Sequence, residues 1–148
     1  MTMTDIVLFH RCTLKLYDTL LKEICVSHDL SGLELTIISF LHNNPEYDTA
    51  KDISSFRMIP KGNVSQGVNA LLAKGLLLRS PDAHDRRKVH LSLTDRSLEL
   101  VEKVEAAKHQ FTELMFDGFS PEERAMYGRL CERVERNVKQ SLERIQNA

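Results

Sequence analysis

The sequence predicts a mainly α-helical winged helix-turn-helix, with a small antiparallel wing of two or three strands and long helices at both ends. The first observation is a short amphipathic helix at 60–74 that carries small amides and hydroxyls outside its apolar face, where Glu and Lys are usual. The second is a cationic turn at 82–88 between two segments of strand character. The third is the helical spacing of apolar residues before and after this unit.

Four helices are predicted ahead of the wing. Apolar residues recur at helical spacing over 6–24, without Gly or Pro. Ser31, with Glu34 three positions later, forms a capping box that opens the second helix. The pair Asp48-Thr49 is expected to cap a short third helix. Pro60 lies at or beside the first position of the fourth helix, where its missing N–H costs nothing.

The fourth helix has an apolar face and a polar face. At about 100° per residue, its apolar side chains fall within one arc, which predicts the buried face: Val64, Val68, Leu71 and Leu72. Gln66 lies opposite that arc, among small residues. Gly62 and Gly67 each cost roughly 1 kcal/mol of helix stability relative to alanine, so a purely structural helix would gain from replacing them. Their bare backbone predicts the close approach of a partner.

Two strands follow the fourth helix. Gly75 is expected to end that helix in the left-handed conformation, and the segment 76–79 has strand character. The second strand, at 89–93, alternates in the manner of a half-buried strand. Three of its residues are expected to face inward, and the other two outward: Val89, Leu91 and Leu93, then His90 and Ser92.

Two long helices complete the chain. Thr94 is expected to cap a fifth helix that reaches Phe116, and Ser120, Pro121 and Glu123 together form a strong start signal for the sixth. The sixth helix carries one narrow apolar stripe: Met126, Leu130, Val134, Val138, Leu142 and Ile145. A stripe near a period of 3.5 residues fits a seam between helices, so these residues are predicted to form a dimer interface. A bundle within one chain is the alternative.

The charge of the chain is unevenly distributed. Its 148 residues suffice for one compact domain, or for a small domain with extra helices, and carry a formal net charge of -1. Residues 51–90 hold eight Lys or Arg against three Asp or Glu, a net charge of +5. The other residues hold twelve against eighteen, a net charge of -6. The basic segment can therefore attract a polyanion while the remainder stays acidic.

Several classes of protein are disfavoured by the sequence. The apolar runs are too short to span a bilayer, and the first residues lack the pattern of a secretory signal. Three cysteines, at 12, 25 and 131, make an odd count without a CxxC pair, which fits a reducing compartment. The expected location is the cytoplasm, with no membrane partner. No GxSxG, P-loop, dinucleotide turn or HExxH is present, so we expect no catalytic residue, no cofactor and no resident metal.

Three segments occur in an order and spacing that together are specific. They are Asn63-Val64-Ser65-Gln66, Lys74-Gly75-Leu76, and Asp85-Arg86-Arg87-Lys88-Val89-His90-Leu91-Ser92-Leu93-Thr94. With the helix order, they resemble the recognition helix and wing of the MarR family of bacterial winged-helix transcriptional regulators, along almost the whole chain. The resemblance implies a homodimer that binds a near-palindromic operator, usually as a repressor. Such proteins are often released from DNA by a small ligand or by cysteine oxidation.

The resemblance also implies which residues contact DNA. Those that face the major groove are Lys61, Gly62, Asn63, Ser65 and Gln66. Gln66 is the best base reader, because its amide can bond adenine in a bidentate way, although the family often has arginine there. Those of the wing are Asp85, Arg86, Arg87 and Lys88, with Arg87 entering the minor groove and Asp85 orienting it. Arg57 and Lys74 are weaker candidates for phosphate contacts.

The same resemblance divides the chain into a helical dimerisation region, 1–26 and 95–148, and a DNA-binding lobe, 30–94. The expected partners are double-stranded DNA, a second copy of the chain, and a small apolar or aromatic ligand. One alternative is a winged-helix scaffold that binds proteins and not DNA. Another is a metal- or redox-sensing regulator, for which Cys12 and the pair Glu105 and His109 are the residues to consider, although their spacing is not that of a compact site.

Overall fold

The computed structural model describes residues 2–147. Its elements are α1 (Met3–Ser27), α2 (Gly32–Asn43), α3 (Ala50–Arg57), α4 (Lys61–Ala73), β1 (Leu77–Pro81), β2 (Val89–Leu93), α5 (Asp95–Met115) and α6 (Pro121–Gln146). The strands form a two-stranded antiparallel sheet, so the mainly α winged-helix fold is confirmed. Internal contacts group the chain into two compact units, Met1–Phe111 and Thr112–Ala148.

Polar caps determine where the helices begin. The capping boxes predicted at Ser31 and Ser120 are both present, and each hydroxyl accepts the N–H of a glutamate three residues on at 3.2 Å. Thr49 caps α3 in the same manner. Helix α1 begins ahead of the apolar pattern because Thr2 and Asp5 form a further capping box. These boundaries depend only on neighbours in sequence, which is why most of them could be predicted.

Helix α2 lies at the centre of the core in the first unit. Its apolar side chains pack with those of α3, α4, the sheet and α5 in one buried cluster. Members of this cluster with almost no exposed surface are Leu35, Ile37, Ile38, Ile53, Val64, Leu71, Leu77 and Val104. Because α4 has its apolar side in this core, its opposite side is turned to solvent.

Gly67 lets α4 pack closely on α2. A Cβ atom at this position would lie 2.6 Å from Cδ1 of Ile37 and 3.3 Å from Cγ of Leu33. The bare backbone of Gly67 therefore serves a contact inside the protein, and the expectation that it serves an outside partner is wrong. At Gly62, by contrast, a Cβ atom would meet nothing within 4 Å.

The end of α4 forms a tight turn that leads into the sheet. Gly75 has φ of 69°, and its N–H donates to the carbonyl of Leu72 at 3.1 Å. The N–H of Leu76 donates to the carbonyl of Leu71 at 2.9 Å, which completes a Schellman motif and confirms the expected role of Gly75. The hydroxyl of Thr94, which was expected to cap α5, donates instead to the carbonyl of Gly75 at 2.9 Å.

The hairpin pairs β1 with β2 from Leu77 opposite Leu93 to Pro81 opposite Val89. Leu91 is buried and Ser92 is exposed, as the alternation predicts. Val89 is exposed, and its predicted inward position is wrong, because the far end of the hairpin extends past the core.

The second unit consists of the end of α5, a short turn and α6. Phe116 lies at its centre and packs edge-on against Phe119 and Tyr127, while the guanidinium of Arg124 donates to the carbonyl of Phe116 at 3.1 Å. No residue of α6 over Pro121–Gln146 is buried. Within residues 2–147, no single helix is long and apolar enough to cross a bilayer, and α1 and α2 reach that limit only when taken together across a 100° bend.

Candidate nucleic-acid interface

The solvent side of α4 is polar and exposed. The structure exposes every residue of this helix that was predicted to face the major groove: Lys61, Gly62, Asn63, Ser65 and Gln66. The intervening Val64 is fully buried and holds the helix on the core. Within residues 2–147, the side chains of Asn63, Ser65 and Gln66 make no hydrogen bond to the protein. Their donors and acceptors are therefore available to a partner.

The first turn of α4 differs from the first turns of the other described helices. Each of those carries at least one acidic residue, whereas that of α4 carries none. Pro60 is its N-cap and supplies no side-chain acceptor. Among the described residues, the N–H groups of Lys61 and Gly62 therefore have neither a cap nor an acceptor. The positive end of the helix dipole and the Lys61 ammonium together favour an anion here.

Asp82 organises the wing, although the sequence had not indicated it. Its Oδ1 accepts the N–H of His84 at 2.7 Å and that of Asp85 at 2.8 Å. Its own N–H donates to the carbonyl of Lys88 at 3.0 Å, which closes the turn. A short aspartate side chain that bonds to the backbone just ahead of it is a common way to stabilise such turns.

Asp85 holds the tip of the wing through backbone contacts. Its Oδ1 accepts the N–H of Arg87 at 2.9 Å, and its carbonyl accepts the N–H of Lys88 at 2.9 Å. Asp85 therefore acts on the main chain of Arg87, and among residues 2–147 no carboxylate pairs with the guanidinium of Arg87 or of Arg86. All three cationic side chains of the tip are exposed.

The hairpin is joined near its last rung to the loop ahead of α3. Nδ1 of His90 lies 2.7 Å from Oδ1 of Asp48, and its Nε2 lies 2.8 Å from Oδ2 of Asp82. Hydrogen bonding to Asp82, and then to Asp48, raises the pKa of His90. The pKa of Asp82 is lowered by the hydrogen bond from His90, and next by those from the His84 and Asp85 amides. The strand alternation placed His90 outward, but nothing in it indicated a partner from another segment.

Lys74 is not available for a phosphate contact, so its weak assignment to DNA is wrong. Its Nζ lies 3.0 Å from Oε2 of the buried Glu34 and also donates to the carbonyl of Asp29. The ion pair links the end of α4 to the start of α2 and stabilises the core contact. Arg57, the other weak candidate, is exposed.

An open cleft of about 700 Å³ lies along α1 and the start of α2. Apolar and polar side chains share its lining, with Leu14, Tyr17, Leu21 and Cys25 on α1. Burial is the main reason that the pKa of the Cys25 thiol is raised, so this thiol is less reactive than a free one. Cys12 on α1 and Cys131 on α6 are exposed.

The apolar stripe of α6 is exposed along its whole length. Its members retain between 42% and 75% of their surface: Met126, Leu130, Val134, Val138, Leu142 and Ile145. A contiguous apolar row on an exposed helix is typical of a surface that is covered by another chain.

Comparisons with known proteins agree with this architecture. A model of the MarR family matches residues 28–88. Over 96 residues the chain is 27% identical to the HTH-type transcriptional regulator YkoM of Bacillus subtilis (strain 168), a match that spans 65% of this chain and 62% of that relative's length. A MarR protein from Peptoclostridium difficile has a similar structure, with a TM-score of 0.76, 23% identity, and coverage of 93% of this chain and 87% of that one.

A second solved structure, the complex of S. aureus MepR with DNA, has a TM-score of 0.70 and 19% identity and covers 91% of this chain and 94% of that one. The family match contains α2, α3, α4, β1 and the wing turn, which are the elements that build the surface described above. Residues 28–88 therefore match the MarR family, and the fold of the chain is similar to that of solved MarR proteins.

Proposed function

We propose that the protein is a homodimeric, sequence-specific DNA-binding transcriptional regulator that inserts α4 into the major groove and its wing into the minor groove. The observation that carries this proposal is the solvent face of α4. Asn63, Ser65 and Gln66 are exposed there and have no hydrogen-bond partner among the described residues, on a helix whose other side is fixed in the core. Side-chain amides can read base edges in the major groove, and Gln66 has the geometry to bond adenine.

The cationic residues support contacts to the DNA backbone. The basic segment 51–90 has a net charge of +5, and the wing tip presents Arg86, Arg87 and Lys88 without ion pairs among the described residues. Arginine enters a narrow minor groove readily, because the negative potential is strong there. We assign Arg87 to the groove, and Arg86, Lys88 and Lys61 to nearby phosphates.

Dimerisation is supported by α6, which is about 39 Å long at 1.5 Å per residue and buries no described side chain. A helix with one apolar stripe gains stability when that stripe packs on another. We propose a second copy as the occupant, with 1–26 and 95–148 as the dimerisation region and 30–94 as the DNA-binding lobe. A two-fold axis would place two α4 helices in successive major grooves, roughly 34 Å apart, on a pseudo-palindromic site.

We further propose that the protein represses transcription in the cytoplasm and is released by a small apolar or aromatic ligand. The cleft along α1 and α2 supports this part of the proposal, because it is large enough for a small molecule and includes Leu14, Tyr17 and Leu21. A ligand in the cleft would change the DNA affinity if it bound the free and the DNA-bound conformations unequally.

Selection of duplexes from random-sequence DNA tests the function directly. The expected result is a two-fold symmetric consensus whose affinity falls steeply with salt, because bound cations of DNA are released by protein charges. Repeating the titration with candidate aromatic ligands tests the release. Failure to retain any duplex at low salt would contradict the proposal and favour the alternative of a protein-binding scaffold.

A further inference from the structure

His90 connects the wing to the helix-turn-helix by two hydrogen bonds to carboxylates. Nδ1 faces Asp48 at 2.7 Å and Nε2 faces Asp82 at 2.8 Å. Asp48 lies 42 residues away in sequence, in the loop immediately ahead of α3. We call these three residues, Asp48, His90 and Asp82, the wing clasp.

The geometry of the wing clasp requires a particular protonation state. An ionised carboxylate only accepts hydrogen bonds, and a neutral imidazole carries one N–H. Both short contacts are therefore hydrogen bonds only when both ring nitrogens of His90 are protonated. Removing one proton would set a nitrogen lone pair against a carboxylate oxygen and break one of the two hydrogen bonds of the clasp.

The hydrogen bond to Asp82 connects His90 to the cationic tip of the wing. The other carboxylate oxygen of Asp82, Oδ1, accepts the backbone N–H groups of His84 and Asp85. The backbone N–H of Asp82 donates to the carbonyl of Lys88 and closes the turn. His90 lies one rung from the end of the hairpin, where Pro81 pairs with Val89. The clasp therefore holds the end of the hairpin from which the turn 82–88 projects.

The hydrogen bond to Asp48 connects His90 to the segment that leads into α3. The carbonyl of Asp48 accepts the N–H of Leu91 at 2.8 Å, so main chain and side chain of one residue both hold β2. The next residue, Thr49, is buried and is the N-cap of α3. Strand β2 is therefore bonded to the loop that leads into α3, the helix that precedes α4.

We propose that the wing clasp positions the cationic turn 82–88 relative to α3 and α4, and that DNA affinity consequently depends on the protonation of His90. His90 acts in this inference as a positioning residue, since its contacts are to Asp48 and Asp82 and its effect on DNA passes through the wing. The inference rests on the proposed function, because it requires that the wing contact DNA.

The pH range follows from the directions of the two pKa shifts. The pKa of His90 is raised above its ordinary value of 6.5, first by Asp82 and then by Asp48, so the clasp is intact below 6.5 and is lost as the pH rises through the raised value. The pKa of Asp82 is lowered from 3.8, so its contribution is present above 3.8 and is lost only in strong acid. Within residues 2–147, Asp82 and Asp48 are the charged groups that shift the pKa of His90.

Fluorescence anisotropy with a duplex selected from random-sequence DNA gives the first test, with each protein titrated between about pH 6 and about pH 9 at constant salt. The wild-type protein is expected to lose about tenfold in affinity over this range, an effect comparable to the loss of one DNA contact. His90→Gln should already be weak near neutral pH and should show a nearly flat profile. His84→Gln, which removes the other wing histidine, should keep the wild-type loss.

Nitrogen NMR of the His90 ring gives the second test and requires no DNA. Both ring nitrogens should carry protons at neutral pH, with a pKa above the ordinary value. Asp82→Asn retains an oxygen for the turn amides but removes the charge, and should lower the pKa of His90. This variant also tests the inference if circular dichroism shows that His90→Gln does not fold.

The outcomes separate this inference from the function on which it rests. If the wild-type protein retains no duplex, the proposed function fails and the inference fails with it. If the duplex binds and His90→Gln follows the wild-type profile, or if His84→Gln abolishes the loss, only the inference is overturned. A His90 ring that carries a single proton at neutral pH and titrates at its ordinary pKa would likewise overturn it.

Discussion

Helices α4 and α6 leave opposite kinds of side chain exposed. Helix α4 buries an apolar side in the core and shows amides and hydroxyls to solvent, whereas α6 buries no described residue and shows an apolar stripe. The polar side of α4 is well solvated by water, so it gains from a partner only when that partner offers matching hydrogen-bonding groups. The stripe of α6 is poorly solvated, because exposed apolar area favours association whether or not DNA is present. From this difference we propose a permanent contact at α6 and a conditional one at α4.

Val134→Asp should have the largest effect, because it breaks the contact that we consider permanent. In a symmetric dimer the substitution removes two apolar contacts and places two carboxylates in the seam, which should weaken the dimer by about 3 kcal/mol or more. A dilution series followed by light scattering would measure this loss. DNA affinity should fall as well, because the two half-sites would no longer be bound by one particle.

Gln140→Asp is the matched control for this experiment. It adds the same charge to α6 about 200° around the helix from Val138, away from the stripe. It should leave the dimer unchanged. Equal dissociation of the Val134→Asp and Gln140→Asp proteins would refute the proposed seam.

Gln66→Ala should have the next largest effect and should act on DNA alone. The loss of a bidentate base contact is expected to cost about 1–3 kcal/mol on the best operator and to relax selectivity at one base pair per half-site. Anisotropy titrations against single-base operator variants would measure both. The dimer should stay intact, and Gln110→Ala, which removes the same amide from α5, should bind normally. Unchanged selectivity in Gln66→Ala would remove α4 from base reading.

Arg87→Ala should weaken binding to all sequences, because a wing contact depends on charge more than on base identity. The expected loss is about 1 kcal/mol, and the slope of log affinity against log salt should flatten by about one unit. Titrations at several salt concentrations decide the question. Arg136→Ala on α6 removes the same charge elsewhere and should leave the slope unchanged, and a wild-type affinity that is indifferent to salt would argue against any such contact.

The two glycines of α4 should give the smallest effects, and of opposite sign. Gly67→Ala should lower the free energy of unfolding by about 1 kcal/mol, because the overpacking against Ile37 exceeds the gain in helix propensity. Gly62→Ala should raise it by about 0.5–1 kcal/mol, because its Cβ meets nothing. Urea denaturation measures both. A shift of the same sign in the two variants would mean that α4 does not rest on α2 through Gly67.

Local signals in the sequence were sufficient for most of the fold. Ser31 and Ser120 each have a glutamate three residues on, and Gly75 follows an apolar helix directly, so the determinants of these helix ends lie within one turn of the chain. The exposed face of α4 followed from its period in the same way. The positions of Gln66 and Arg87 on exposed surfaces agree with the sequence, but their contacts to DNA stay predictions.

Local sequence signals could not predict contacts between segments that are distant in the sequence. Lys74 looked like a surface cation, yet its partner Glu34 lies 40 residues away. Gly67 looked like an opening for an outside partner, yet the close contact is with Ile37 of α2. His90 and Asp48 had no visible relation until the fold brought β2 beside the loop ahead of α3.

The sequence by itself therefore determined the helices, most of their caps, the hairpin and the segregation of charge, because each depends on residues within a few positions of one another. The tertiary structure decided which glycine is needed for packing, which lysine is occupied, and how the wing is held. Those outcomes depend on which segments are packed side by side. Burial of the apolar faces of α2, α4 and α5 determines that packing. The polar contacts of Lys74 and His90 form where this packing has already placed their partners.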